Sequence, residues 1–158
     1  MYAYNAAVVA KEQGYTNIAI YNGGLRAWRV SNEVITTRAL PELAATTFME
    51  NTRLWERIGA GEPITVLDFR VTAVEMAKGR IPCPSPSYQS LPLDALRDEA
   101  LRDQLPRDGL IVTVTETGNR DKIVQRYLSQ YGFTNVVGLK KGFRGWVKAG
   151  LPLEQPPS

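Results

Sequence analysis

The sequence contains no histidine and only one cysteine, Cys83. Without histidine, the chain lacks the side chain that most often acts as a general base or a metal ligand. Ser-His-Asp and Cys-His mechanisms and histidine-based zinc sites are therefore excluded, and we expect no metal and no other cofactor. A single thiol also excludes a disulfide bond within the chain.

The sequence also lacks a long hydrophobic run and a marked excess of one charge. No stretch approaches the roughly 18 apolar residues that span a bilayer, and no basic segment followed by an apolar one opens the chain. The net charge is +3, and opposite charges are interleaved. We therefore expect no membrane partner, no nucleic-acid partner and, by default, a soluble protein of the cytoplasm.

Two apolar runs stand out in a chain of 158 residues with 44% hydrophobic content, enough for one ordinary domain. The runs Ile64–Arg70 and Ile111–Thr115 both predict strands, and the first is continuous enough to be covered on both faces, as in a parallel sheet. Asp68 and Arg70 fall at the C-terminal end of the first run, where open α/β sheets place their ligands.

The second run leads into a short polar loop, Glu116–Arg120, and then into a segment with helical spacing of apolar residues. A strand–loop–helix junction aims backbone N–H groups and the positive end of the helix at the mouth of the loop. It is a cradle for an anion, and Thr115 is the side chain that opens it.

The segment before the first run allows two interpretations. One has a short strand at Thr46–Met49 and a helix capped by Asn51 or Thr52, and the other has one long helix over Pro41–Ile58. Elsewhere the pattern predicts a helical turn at Val74–Ala77, a proline-locked connection at Gly79–Pro86, a broken helix at Leu91–Leu105, a strand at Val136–Leu139 and a helical segment at Phe143–Lys148.

An internal repeat is the most specific pattern in the chain. Gly14–Trp28 aligns without gaps with Gly132–Trp146, 118 residues further along, and six positions are identical. The first copy follows a segment with helical spacing at residues 5–13, and it contains a predicted strand, Asn17–Tyr21.

Four motifs resemble those of the rhodanese-like domain family. They are V-L-D-F-R at 66–70, G-R-I-P at 79–82 where the family usually has G-H-I-P, T-G-N-R at 117–120, and G-F-T-N-V…K-G-F-R-G-W…A-G-L-P-L at 132–153. The resemblance implies an α/β fold with a parallel five-stranded sheet and helices on both faces. It also implies the domain limits: a remnant of a first repeat at 1–30, a linker at 31–44, the rhodanese-like domain at 45–153 and a loose tail at 154–158.

Enzymes of this family carry a cysteine at the first position of the loop, where it holds transferred sulfur as a persulfide. Here the resemblance places Thr115 at that position. A threonine hydroxyl cannot hold sulfur in this way, because only a soft thiolate attacks sulfur and keeps it in an S–S bond. We therefore expect a vestigial loop without catalytic residues, made of Thr115, Glu116, Thr117, Gly118, Asn119 and Arg120.

Other candidate residues have competing interpretations. Glu116 stands where active relatives often have a basic residue, and it should repel an anionic sulfur donor. Arg120 matches the basic residue that closes the loop, either as an anion clamp or as a strut. For Asp68 and Arg70 we favour an ion pair over a substrate role. Cys83 is the one candidate for a substitute nucleophile, and an inert buried thiol is the preferred interpretation.

The sequence thus predicts a catalytically silent rhodanese-like domain with a structural, regulatory or protein-binding role. The alternative is a sulfurtransferase whose reactive cysteine lies in a missing first repeat, in a partner chain, or at Cys83. A phosphatase of related fold is excluded by the same missing thiol. The predicted strand at 17–21 and its amphipathic helix would be left without a sheet, so we expect a homodimer formed through residues 1–30.

Overall fold

The computed structural model describes residues 2–21, 40, 45–70, 72–84 and 87–155. The chain divides into two units, residues 1–39 and 40–158. In the described part of the first unit, helix α1 covers Tyr2–Glu12, and residues 15–21 have no regular structure. No helix in the described part of the chain is long and apolar enough to cross a membrane.

The second unit is built on one sheet. Its strands are β1 Phe48–Met49, β2 Ile64–Asp68, β3 Tyr88–Ser90, β4 Leu110–Val114 and β5 Val136–Leu139. They are paired in parallel in the order β1-β5-β4-β2-β3. The helices are α2 Asn51–Gly59, α3 Ala73–Met76, α4 Glu99–Asp103, α5 Asp121–Ser129 and α6 Gly142–Lys148, with a 3₁₀ turn at Leu93–Arg97.

Alternation along the strands divides the core into two clusters on opposite faces of the sheet. In β2, Val66 packs in the cluster that includes Leu54 of α2 and Trp146 of α6. The next residue, Leu67, packs in the cluster that includes Leu128 of α5. The predicted parallel five-stranded sheet with helices on both faces is therefore confirmed.

Trp146 fixes α6 to the rest of the first cluster. The ring is fully buried, its Nε1 donates to the carbonyl oxygen of Pro152 at 2.8 Å, and Trp55 meets it edge-on with ring centroids 6.1 Å apart. Its counterpart in the first repeat, Trp28, lies outside the described residues.

The segment before β2 follows the first of the two interpretations. A long helix over Pro41–Ile58 is wrong, because Phe48 and Met49 pair with β5 as strand β1. The capping prediction was also wrong: Glu50 is the N-cap of α2, and no side chain caps it. The Asn51 side chain instead donates to the carbonyl oxygen of Lys140 at 3.1 Å, which ties α2 to the end of β5.

Two further differences concern short elements. No sequence pattern predicted β3, which forms after the proline-locked connection as an edge strand paired with β2 alone. Proline is tolerated at such edges. The broken helix at Leu91–Leu105 is a 3₁₀ turn followed by α4. The break lies at Asp98, whose Oδ1 accepts from the N–H of Ala100 at 3.0 Å as the N-cap of α4.

The predicted strand at Asn17–Tyr21 is wrong, because these residues are not in a strand. A strand needs a hydrogen-bonded neighbour, and all five strands of the described sheet come from the second unit. The linker at 31–44 lies outside the described residues except for residue 40. At the other end, Glu154 exchanges two backbone hydrogen bonds with Arg80, so order extends to this residue of the predicted loose tail.

Candidate functional site

The loop between β4 and α5 lies at the C-terminal edge of the sheet, as the sequence predicted. Thr115 follows the last residue of β4 and is only 5% exposed. Its Oγ1 accepts a hydrogen bond from the N–H of Gly118 at 3.0 Å. The threonine hydroxyl therefore serves as a hydrogen-bond acceptor within the loop.

The start of α6 holds this loop in place through the backbone. The N–H of Phe143 donates to the carbonyl oxygen of Thr115 at 2.9 Å, and that of Arg144 donates to Glu116 at 3.0 Å. Gly142 has a φ of +58°, and a Cβ there would lie 2.1 Å from the Thr115 carbonyl oxygen. Only glycine fits so close to the loop, so the loop and α6 form one fixed assembly.

Glu116 is less repulsive towards anions than its sequence position suggested. Its Oε1 lies 2.7 Å from Nζ of Lys78 and 3.5 Å from Nε of Arg144. These two cations offset the carboxylate charge at the mouth of the loop. Arg120 is exposed as the N-cap residue of α5, and it forms no ion pair within the described part of the chain.

A cleft of about 470 Å³ opens beside the loop. It is lined by Phe48, Thr117, Gly118, Asn119, Lys122, Lys140 and Lys141. Lys141 adopts a left-handed backbone conformation with a φ of 60°, the only described residue other than glycine with positive φ. The equivalent residue of the first repeat is Gly23, and glycine is the residue type that tolerates this backbone conformation best.

Asp68 and Arg70 form the predicted ion pair, and both are buried. Nη2 of Arg70 lies 2.6 Å from Oδ2 of Asp68, and the guanidinium also donates to the carbonyl oxygens of Glu75 and Gly79. It lies 3.4 Å from the centre of the Phe143 ring. Burial alone would lower the pKa of Arg70, but Asp68 raises it overall.

Tyr88 completes this network from β3. Its hydroxyl donates to Oδ2 of Asp68. Burial, reinforced by the Asp68 charge, raises the pKa of Tyr88. Because every guanidinium nitrogen has an acceptor, the network is best understood as a strut joining β2, β3 and α3 to the start of α6.

Cys83 lies in the first core cluster and is 6% exposed. Burial raises the pKa of its thiol, and Arg80 offsets only part of the shift. A protonated thiol enclosed in this way is a poor nucleophile.

Sequence reasoning missed Asp121, the first residue of α5. It is fully buried, and neither carboxyl oxygen has a hydrogen-bond partner of good geometry in the described structure. Burial raises the pKa of Asp121 to about 7, although the nearby hydroxyls of Thr113 and Thr115 lower it, and Asp68 adds to the rise. An acidic residue in a first helical turn is ordinary, so only its burial distinguishes it.

No group of three or more metal-ligating side chains occurs among the residues that the structure describes. The residues of the loop between β4 and α5, the Asp68–Arg70 ion pair and Asp121 make up the candidate site, and Cys83 is packed in the core.

Comparisons with known proteins agree with the fold of the second unit. A family model described as "Rhodanese-like domain" matches residues 50–149. A protein of Allochromatium vinosum named "Sulfurtransferase" is 28% identical over 108 residues, which are 68% of this chain and 94% of the relative.

Among solved structures, a rhodanese-related protein from Thermoplasma volcanium is 28% identical, with a TM-score of 0.55 over 68% of this chain and 96% of the other. A rhodanese-like domain protein from Staphylococcus aureus shares the fold at 23% identity, with a TM-score of 0.55 over 70% of this chain and 100% of the other.

Proposed function

The chain belongs to the rhodanese-like domain family, and from this premise we propose that it is a catalytically silent member with a structural, regulatory or protein-binding role. The observation that carries the proposal is Thr115 at the first position of the reactive loop. Its hydroxyl is a hard oxygen nucleophile that cannot form a persulfide, and the chain has no histidine to activate it.

The alternative is a sulfurtransferase that uses another cysteine. It is favoured by the name of the relative from Allochromatium vinosum. The thiol would belong to an absent first repeat of a tandem protein, to a partner chain, or to Cys83. The burial of Cys83 and its raised pKa argue against the last of these.

Sulfur transfer from thiosulfate to cyanide, followed as thiocyanate, tests the proposal. We expect no turnover above the protein-free rate from the full chain, and the same result from Cys83→Ala. Turnover that Cys83→Ala abolishes would overturn the proposal in favour of the Cys83 alternative. Turnover that survives Cys83→Ala would also overturn the proposal. It would show that the chain catalyses sulfur transfer without any thiol of its own, since Cys83 is its one cysteine.

A binding role is supported by the first unit. Apolar side chains are exposed there at Tyr4, Val8, Val9, Tyr15, Ile20 and Tyr21. Exposed apolar residues grouped in one short segment are typical of an interaction surface. We propose that two copies of the chain form a dimer through residues 1–30. We also propose that the protein is located in the cytoplasm.

A further inference from the structure

The carboxyl group of Asp121 is buried, and neither the packing of the fold nor the proposed lack of catalytic activity explains its burial. Burying such a group without hydrogen bonds is unfavourable, and most proteins avoid it. A Cβ at Gly138 of β5 would lie 2.8 Å from the Asp121 Cβ, so the residue is packed directly against the middle of the sheet.

The other side of Asp121 faces β4. The hydroxyls of Thr113 and Thr115 are near enough to lower its pKa, and they come from the same face of that strand. Asp68, which pairs with Arg70 and accepts a hydrogen bond from Tyr88, acts electrostatically on Asp121 from β2. Gly138, against which Asp121 packs, pairs with Thr113 of β4, and position 115 lies two residues further along the same face. The side chain at position 115 therefore lies near one favourable group, the N–H of Gly118, and one unfavourable group, the Asp121 carboxyl.

We propose that Asp121 is a second residue that prevents catalysis, because its buried carboxyl excludes an anionic sulfur from position 115. The thiol introduced by Thr115→Cys alone would therefore stay unreactive. Replacing Asp121 by a neutral residue as well would release the thiolate. The inference rests on the proposed function, since it concerns the same loop. Two groups that compete for one negative charge in a buried site cannot both ionise readily.

The test compares thiols in a Cys83→Ala background, so that each protein carries one cysteine. Alkylation by iodoacetamide is measured against pH for Thr115→Cys, for Thr115→Cys/Asp121→Ser and for Thr115→Cys/Asp121→Asn. We expect both double variants to react about tenfold faster or more at pH 7.5, with the midpoint of the profile about one pH unit lower or more. Two neutral replacements are used in case one of them does not fold.

Asp108→Ser is the matched control. It removes one negative charge from an exposed position just before β4, at the opposite end of the strand from the loop. Thr115→Cys/Asp108→Ser should keep the profile of Thr115→Cys. Equal profiles for the Asp121 and Asp108 double variants would overturn the inference and leave the proposed function intact. Sulfur transfer by the chain with Thr115 would overturn the proposed function without affecting this comparison.

Discussion

The two copies of the internal repeat have closely similar sequences and very different surroundings. Tyr15 aligns with Phe133, yet Tyr15 is 67% exposed and Phe133 only 3%. In the second copy, the residues after the helix form β5 between β1 and β4, whereas the corresponding residues 17–21 form no strand. The same motif is core or surface depending on which strands lie beside it.

Dimerisation would remove this difference by covering the first copy. Light scattering should give twice the mass of one chain at micromolar concentration, which corresponds to about 8 kcal/mol of association free energy. Val9→Asp/Ile20→Asp should restore a monomer, because both side chains are exposed in the first unit. Val74→Asp, at an exposed apolar residue of the second unit, is the control and should leave the dimer intact. A monomer before any substitution would contradict the prediction.

Truncating the aligned aromatic residues measures the difference directly. Phe133→Ala should lower the free energy of unfolding by about 3–5 kcal/mol, because it leaves a cavity in the second core cluster. Tyr15→Ala should change it by less than about 0.5 kcal/mol. Urea unfolding of both variants measures these changes, at a protein concentration too low for the dimer to form. Equal losses would mean that Tyr15 is packed as closely as Phe133.

Asp121 offers a comparison with Ala3, its counterpart in the first copy. The pKa of Asp121 is about 7 in the folded chain, above its ordinary value of 3.8. Between about pH 4 and pH 7, Asp121 therefore keeps its proton in the folded state and has released it in the unfolded state. Stability should be highest below about pH 4 for this group, and up to about 4 kcal/mol should be lost as the pH rises to about 7.

Urea unfolding at pH 5 and pH 8 measures the part of this loss that falls above pH 5, about 3 kcal/mol, and Asp121→Asn should remove most of it. Ala3→Asp should create no such dependence, since residue 3 is exposed. If the free energy of unfolding of Asp121→Asn still falls between pH 5 and pH 8, the pH dependence belongs to other groups.

The smallest expected effect concerns Lys141 and its counterpart Gly23. Lys141→Gly should stabilise the second unit by about 1 kcal/mol or less, because glycine tolerates the left-handed backbone conformation. Lys140→Gly has no such strain to relieve and should destabilise slightly. Thermal unfolding should separate the two by a few degrees. If Lys141→Gly is less stable than the parent chain, the Lys141 side chain stabilises the fold by more than its left-handed backbone conformation destabilises it.

The sequence was sufficient for the central strands because β2 and β4 are covered on both faces, and such strands are nearly continuous apolar runs. It was insufficient for β3, a three-residue edge strand whose side chains are only partly buried. The Asn17–Tyr21 prediction failed for the opposite reason: the pattern of a strand is present, but no neighbouring strand pairs with it.

The site divides in the same way. The place of Thr115 at the end of β4 and the ion pair of Asp68 with Arg70 could be predicted, because these residues lie in local motifs at the ends of strands. The partners of Glu116 could not, because Lys78 and Arg144 are brought to it from distant parts of the chain. Asp121 was missed because nothing in the local sequence reveals that β4 and β5 enclose its carboxyl.

Gly142 has a consequence for how this loop would respond to random mutation. The backbone hydrogen bonds from α6 to the loop are accepted by main-chain atoms of Thr115 and Glu116, so these bonds do not depend on which side chains the two positions carry. In a scan that selects for folded protein, position 115 should accept several small residues, whereas position 142 should accept glycine alone. Drift can therefore erase the chemistry of the loop while its shape remains under selection.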